Sequence, residues 1–275
     1  MRNVNYWVMF KVLTGLPFLV LALFLSGCGG AKDDNMALKV GVMAGPEMDV
    51  MKVAVEILRR DKDIDVELVE FSDYVLPNIA LSDGSIDVNA IQHRPYLNSF
   101  IQSRGIKLAV VGKAFLYPMG AYSKRISDLD SLRKGAKVAI PNDPNNEGRA
   151  LILLHNRGLI ILKDASNLQA TPLDIVENPR SLKFIELDAA QLPRSLDDVD
   201  LAFINSTYAV PAGLLPDHDA LMIEGRNSAY VNILVSREDN KNDPRVQALV
   251  KSYQTEAVEM VAARLFKGGA VAGWK

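Results

Sequence analysis

Four short stretches of this 275-residue chain combine charged, amide and aromatic groups in a way that suits a small polar ligand. The first is Asp87-Val88-Asn89-Ala90-Ile91-Gln92-His93-Arg94-Pro95-Tyr96, an apolar strand pattern that turns polar and aromatic at its carboxyl end. Ligands of open α/β sheets sit beyond such strand ends, where His93 and Arg94 offer donors and Tyr96 a wall. The second runs from Val138 to Arg149, a strand, a polar turn and a helix start. Free backbone N–H groups at a helix start favour an anion. Arg149 adds a charged fork matched to a carboxylate, and Asn142 at the strand end can orient the same group. The third stretch, Leu201 to Tyr208, is an apolar strand ending at Asn205, and the fourth, Ser228 to Asn232, enters another strand. An Asn amide both donates and accepts, so Asn205 and Asn232 suit an ammonium and a carboxylate together. Tyr74, after Phe71-Ser72-Asp73, is a further candidate wall. Each residue also fits a structural role: His93 and Arg94 as strand caps, Arg149 solvated on an Asn-rich cap, Asn205 and Asn232 as turn residues, Tyr74 and Tyr96 as core. What unites them is position, because most stand at strand ends that one cleft can collect.

Collecting them requires an α/β framework. Leu38-Lys39-Val40-Gly41-Val42 alternates as a strand, and Val50, Val53, Ala54, Ile57 and Leu58 recur at helical spacing after the Gly45-Pro46 break. A second strand over 66–71 completes a βαβ start, which implies a right-handed crossover and parallel pairing. Further strands are expected at 86–90, 107–112, 137–140, 183–187, 199–204 and 230–236, with helices around 75–83, 92–104, 147–157 and 189–196. A last helix starts at Asp243-Pro244, carries Val246, Leu249, Val250, Tyr253, Val258, Val261 and Leu265 on one stripe, and stops at Gly268-Gly269. The length per repeat predicts two sheets in two lobes. The chain crosses out near residue 121 and back near 231, so 38–120 with 232–275 form the first lobe and 121–231 the second.

Composition narrows the chemistry. With 49% apolar and 23% charged residues and a net charge of −2, the chain is globular. Disorder and nucleic-acid binding would need a different charge balance. One Cys cannot supply a Cys-rich zinc or iron–sulfur site, and three dispersed His residues with no His-Glu-x-x-His give a metalloprotease no ligand set, so no metal is expected. No phosphate-loop, dinucleotide-binding or serine-hydrolase signature occurs, and no nucleophile–base–orienter set is apparent, so neither a cofactor nor an enzyme is expected. The amino end is basic at Arg2 and Lys11 and then largely apolar from Val12 to Leu25, closing in Leu25-Ser26-Gly27-Cys28. That run is shorter than the roughly 20 residues that span a bilayer and reads as an export signal, residues 1–27. It resembles a bacterial lipobox, by which Cys28 becomes the first mature residue and carries lipid chains that hold the protein on a membrane. Residues 28–37 read as a flexible tether.

The sequence resembles the NlpA/MetQ family of methionine-binding lipoproteins, the substrate-binding components of an importer, from about Leu38 to Trp274. The resemblance rests on Asp73-Tyr74-Val75-Leu76-Pro77-Asn78, Gln92-His93-Arg94-Pro95-Tyr96-Leu97, Pro141-Asn142-Asp143-Pro144, Gly148-Arg149, Gln191-Leu192-Pro193-Arg194, Tyr230-Val231-Asn232, Arg237-Glu238-Asp239-Asn240-Lys241 and Gly268-Gly269-Ala270-Val271. It implies an α/β, two-lobed periplasmic-binding-protein fold (type II-like), with two mostly parallel sheets and an inter-lobe cleft. It implies that Arg149 pairs with the ligand carboxylate, that Asn142, Asn205 and Asn232 hold the amino-acid backbone, and that Tyr74, His93, Arg94 and Tyr96 line the side-chain end. The chain departs from the family at Ile91, where an aromatic is usual, at Glu147 in the turn before Gly148-Arg149, and at Ala229 before Tyr230. The implied function is a non-enzymatic, monomeric, lipid-anchored receptor that delivers L-methionine or a related amino acid to the permease and ATPase subunits of an ABC transporter. A short methionyl peptide as ligand, or a surface lipoprotein outside transport, stand as alternatives.

Overall fold

The strand β1 (Leu38–Met43) buries Leu38, Val40 and Val42 in one apolar cluster with Val50, Met51, Ala54 and Leu58 of helix α1 (Pro46–Lys62). The computed structural model describes residues 37–267 and 269–275, so the export signal, Cys28 and most of the tether lie outside the described residues. Pro46 starts α1, acidic Glu47 and Asp49 occupy its first turn and basic Arg59, Arg60 and Lys62 its last, all matching the helix dipole. β2 (Val66–Phe71) returns parallel to β1, with Val40 opposite Leu68.

After α2 (Leu76–Ser82), β3 (Val88–His93) pairs parallel with the other edge of β1, every residue buried. α3 (Arg94–Arg104) follows without a loop, because the Tyr96 N–H donates to His93 Nδ1 and the strand's last residue becomes the helix cap. β4 (Leu108–Lys113) closes this side of the first sheet, and β5 (Phe115–Leu116) leads out of it. β6 (Met119–Tyr122) then enters a second sheet with β7 (Lys137–Pro141), reached before α4 (Pro144–Asn156). A small hairpin of β8 (Ile161–Leu162) and β9 (Ile175–Glu177) precedes β10 (Lys183–Leu187) and α5 (Leu192–Ser195). β11 (Leu201–Asn205) runs directly into α6 (Ser206–Ala209), followed by α7 (Pro216–Asp219) and β12 (Met222–Ile223). β13 (Asn232–Arg237) rejoins the first sheet, α8 (Pro244–Tyr253) and α9 (Glu256–Leu265) cover it, and β14 (Val271–Ala272) pairs with β5.

The two sheets share one pattern, β2-β1-β3-β13-β4 and β10-β7-β11-β6-β12. In each, one strand runs against the others: β13 between β3 and β4, and β6 between β11 and β12. Those are the strands that arrive from the other sheet, so each crossing ends by inserting antiparallel into its host. β11 shows the double-sided burial of a central strand, with Leu201 and Phe203 in one cluster and Ala202 and Ile204 in another.

Two expectations need correction. Residues 119 and 120, assigned from sequence to the first lobe, belong to β6 and pair with Asn205 and Ile204. The outward crossing therefore falls at Tyr117-Pro118, where proline has no N–H to give a ladder. The single terminal helix is two. Gln254 leaves the helical region, Thr255 restarts the chain as an extended N-cap, and Gln254 Nε2 donates to the Lys113 carbonyl at the break. That bond ties the kink to β4, which the apolar stripe alone does not reveal.

Gly148 sits where α4 meets the loop before β9. A Cβ there would lie 2.5 Å from the Leu168 carbonyl oxygen and 3.0 Å from Ala170 N, both backbone atoms that cannot swing aside. Gly148→Ala is therefore expected to lower stability by about 1–3 kcal/mol through overpacking. Urea denaturation checks this, and an unchanged midpoint would show the 164–170 loop yielding freely.

Candidate functional site

The carboxyl ends of β3 and β11 and the first turns of α4 and α6 converge on one cavity between the two sheets. Seven expected residues line it: Tyr74, Ile91, His93, Tyr96, Arg149, Asn205 and Asn232. Gln92, Tyr117, Asn146, Ser206 and Thr207, which sequence reasoning did not single out as ligand residues, complete the lining.

Arg94 and Asn142 do not line the cavity and are exposed. Each is the neighbour of an inward residue. His93 turns inward as the α3 cap, which sends Arg94 outward as the first helical residue. Asn142 is held by its backbone, its N–H donating 2.8 Å to the Leu187 carbonyl, while Asp143 caps α4. The amide that reaches the cavity from this segment is Asn146. It stands three residues before Arg149, a spacing that puts two helical residues on one face, and that spacing was the available signal. Glu147 is buried but does not line the cavity. Burial first, then Glu186, Asp143 and Asp174, push its carboxyl up to about 7.

Asn146 organises the polar wall. Its Nδ2 donates to Asp143 at 2.9 Å, and its Oδ1 accepts from Asn205 Nδ2 at 2.9 Å and meets His93 Nε2 at 3.3 Å. Since His93 Nδ1 accepts the Tyr96 N–H, Nε2 must carry the proton and donate to Asn146. Burial, then the charge of Arg149, lower the imidazole to about 3, so His93 is neutral at physiological pH. The ring packs edge-on to Tyr230 at 4.9 Å. Behind β3, buried Asn78, Asn89 and Gln92 bond one another at 2.6–3.0 Å and fix the strand end.

Arg149 is buried with its Nε donating to Glu224 Oε1 at 3.0 Å, its Nη2 to Glu224 Oε2, and Nη2 also to the Tyr117 carbonyl at 3.1 Å. Its guanidinium lies 4.6 Å from the Tyr230 ring centre. Nη1 makes no hydrogen bond to the described residues, and Asn205 Oδ1 is buried with no partner. The Tyr117 hydroxyl, also in the lining, is likewise buried with no partner, so one Arg149 donor arm, the Asn205 acceptor and this hydroxyl are free for a ligand. The aromatic side is Tyr74, 5.2 Å from Tyr208 and 6.1 Å from Tyr96, whose hydroxyl donates to the Tyr74 carbonyl at 3.1 Å. Among the described residues no cluster of His, Cys, Asp or Glu suits a metal, and no helix is long and apolar enough to cross a membrane.

Two mixed sheets of matching topology, joined by exchanged strands and enclosing an amide- and arginine-lined cavity at their strand ends, define a two-lobed solute-binding protein. The chain belongs to the NlpA lipoprotein family, whose profile matches residues 38–274. It is 54% identical over 264 residues to a probable D-methionine-binding lipoprotein MetQ of Vibrio cholerae, covering 96% of this chain and 98% of that one. It is 50% identical to the D-methionine-binding lipoprotein MetQ of Escherichia coli K12, with the same shares covered. The crystal structure of the methionine binding protein MetQ aligns with a TM-score of 0.85 at 52% identity, covering 87% of this chain and 98% of that one. A nutrient binding protein from Burkholderia cenocepacia, bound to methionine, aligns at 0.84 and 45% identity, covering 86% and 100%.

Across the cavity wall, the Thr207 hydroxyl donates to Glu47 Oε1 at 2.6 Å, joining α1 of the first sheet to α6 of the second. Burial pushes the Glu47 carboxyl up from 4.5 to about 7, against the opposing effect of the Thr207 bond. The folded chain thus holds this proton more tightly than the unfolded chain. Glu47 costs nothing below about pH 4.5, and its cost grows to a plateau above about pH 7, on the order of 3 kcal/mol. Glu47→Gln should remove that share of the stability loss as pH rises. Denaturation profiles of wild type and variant that stay parallel across this window would show that Glu47 ionises without penalty.

Proposed function

We propose that this chain is a lipid-anchored solute-binding protein of the bacterial envelope that captures methionine in the cavity and delivers it to the permease and ATPase of an ABC importer. The observation that carries this reading is the set of free groups in one cavity: an Arg149 donor arm for a carboxylate and the Asn205 acceptor for an ammonium, with the Tyr117 hydroxyl beside them. Buried charges of a ligand need such partners, or desolvation outweighs the gain. Tyr74, Ile91, His93, Tyr96 and Tyr117 form the remaining wall. A thioether suits it, since sulfur–aromatic contacts add about 0.3–1.5 kcal/mol to burial. The bound methionine of the Burkholderia cenocepacia relative and the names of the MetQ relatives support the same ligand.

Residues 38–118 with 232–275 act as one lobe and 119–231 as the other, behind a removed signal of residues 1–27 and a tether lipidated at Cys28. Tyr74, His93, Tyr96 and Asn232 contact the ligand from the first lobe, and Asn146, Arg149 and Asn205 from the second. A ligand that touches both favours their approach by its differential contacts. The protein works as a monomer and performs no catalysis. His93 meets an amide oxygen and no carboxylate, which suits a pocket wall and not a general base.

Titration calorimetry of the full chain with L-methionine and D-methionine tests the reading. Tight binding of either is expected, and no heat from both would overturn it. Asn205→Ala should weaken binding by roughly 5- to 150-fold, the loss of about 1–3 kcal/mol from one buried polar contact. Arg94→Ala and Asn142→Ala, both on the surface, should leave affinity within about twofold.

A further inference from the structure

Among the described residues, Arg149 is the only side chain lining the cavity that carries a formal charge at neutral pH, because His93 is held neutral. That charge is already matched. Glu224, just after β12, is buried and receives two arms of the Arg149 fork. Its remaining acceptor sites are occupied from two other directions, by the Met119 N–H at 3.2 Å and the Ser228 hydroxyl at 2.8 Å. Glu224 itself does not line the cavity. It acts through Arg149, and four hydrogen bonds from α4, β6 and the segment before β13 hold it in place.

We propose that Glu224 sets the charge class of the ligand, making the pocket select a zwitterionic α-amino acid over the corresponding anion that lacks the ammonium. This rests on the amino-acid-binding reading above. An arginine with its whole fork free binds any carboxylate in a bidentate manner. Here Nε and Nη2 are committed to Glu224, and only Nη1 is left for the ligand. A zwitterion brings no net charge into a site that has none on its Arg149 side. An anion brings one uncompensated charge into a buried site, where such charges are costly. Glu47, behind Thr207, can only add to that penalty, because any charge it carries is negative. The ammonium end, facing Asn205 Oδ1, then becomes a condition of binding instead of an accessory to it.

The test compares L-methionine with 2-hydroxy-4-(methylthio)butanoate, which keeps the carboxylate and thioether and replaces the ammonium by a hydroxyl. Calorimetry on the full wild-type chain should give a ratio of affinities of at least about 100 in favour of methionine. Glu224→Gln should narrow the ratio by at least about tenfold, chiefly by tighter binding of the hydroxy acid. Glu224→Asp, which keeps the charge and shortens the reach, should weaken both ligands and leave the ratio within about threefold of wild type. If Glu224 merely props Arg149 in place, both variants weaken both ligands equally and the ratio stays constant, which overturns the proposal. A wild-type ratio under about ten overturns it as well. Should Glu224→Gln not fold, a tenfold narrowing in Glu224→Asp, with the charge retained, sinks the idea by itself. Absence of methionine binding to wild type is a separate result and removes the underlying reading instead.

Discussion

A guanidinium can be buried in this cavity only because a carboxylate is buried with it. Arg149 and Glu224 meet from distant parts of the chain, on α4 and after β12, and neither has water to replace the other. Removing one partner of such a pair is strongly destabilising, because the remaining charge stays desolvated. The pair therefore constrains the second sheet as a whole. α4 must start where Asp143 caps it, Gly148 must let the 164–170 loop pass, and β12 must end beside β6 so that Met119 can donate to the same carboxylate. Tyr230, on the return path to the first sheet, then packs against the guanidinium.

The exchange of strands between the sheets explains why a cavity lies there. Strand ends concentrate free backbone groups and loops, and ligands bind where they gather. In this fold β3 and β11 end on opposite sides of the same gap, with helices α3 and α6 starting at once from their last residues. His93 and Asn205 are these last residues, and Asn146 connects them. The inserted strands β6 and β13 carry the chain from one sheet to the other, so the cavity lies between the two sheets that they join.

Contacts flank the cavity on two sides. On one, Asn145 donates to Ser99 at 2.9 Å and Gln169 also reaches Ser99. On the other, Thr207 bonds Glu47, and the Tyr208 hydroxyl donates to the Ser72 carbonyl at 3.3 Å. These polar bonds stand beside apolar packing across the same gap, with Tyr74 against the second-sheet cluster and Val210 against the first-sheet core. The amide network of Asn78, Asn89 and Gln92 is of another kind, closed within the first sheet and buried, and it fixes the β3 end.

Much of this was legible in the chain itself. Alternation located β1, β2 and β10, the Gly45-Pro46 break started α1, and the clustering of polar residues after apolar runs pointed to His93, Arg149, Asn205 and Asn232. These are local properties, set by side-chain period and by what a strand end or helix cap requires. Direction at a turn was not local. Arg94 faces solvent and Asn146 faces the cavity because of how α3 and α4 leave their strands, and Asn142 gave way to Asn146 for the same reason. The break at Gln254 depends on a bond to β4, and the outward crossing at Tyr117-Pro118 on which sheet receives Met119. Glu224 is the clearest case, since its residue type and neighbours in sequence mark nothing until folding brings Arg149 against it from 75 residues away. Sequence period fixes which residues are buried and which elements form; only tertiary structure decides which buried charges meet, because that depends on partners the chain separates.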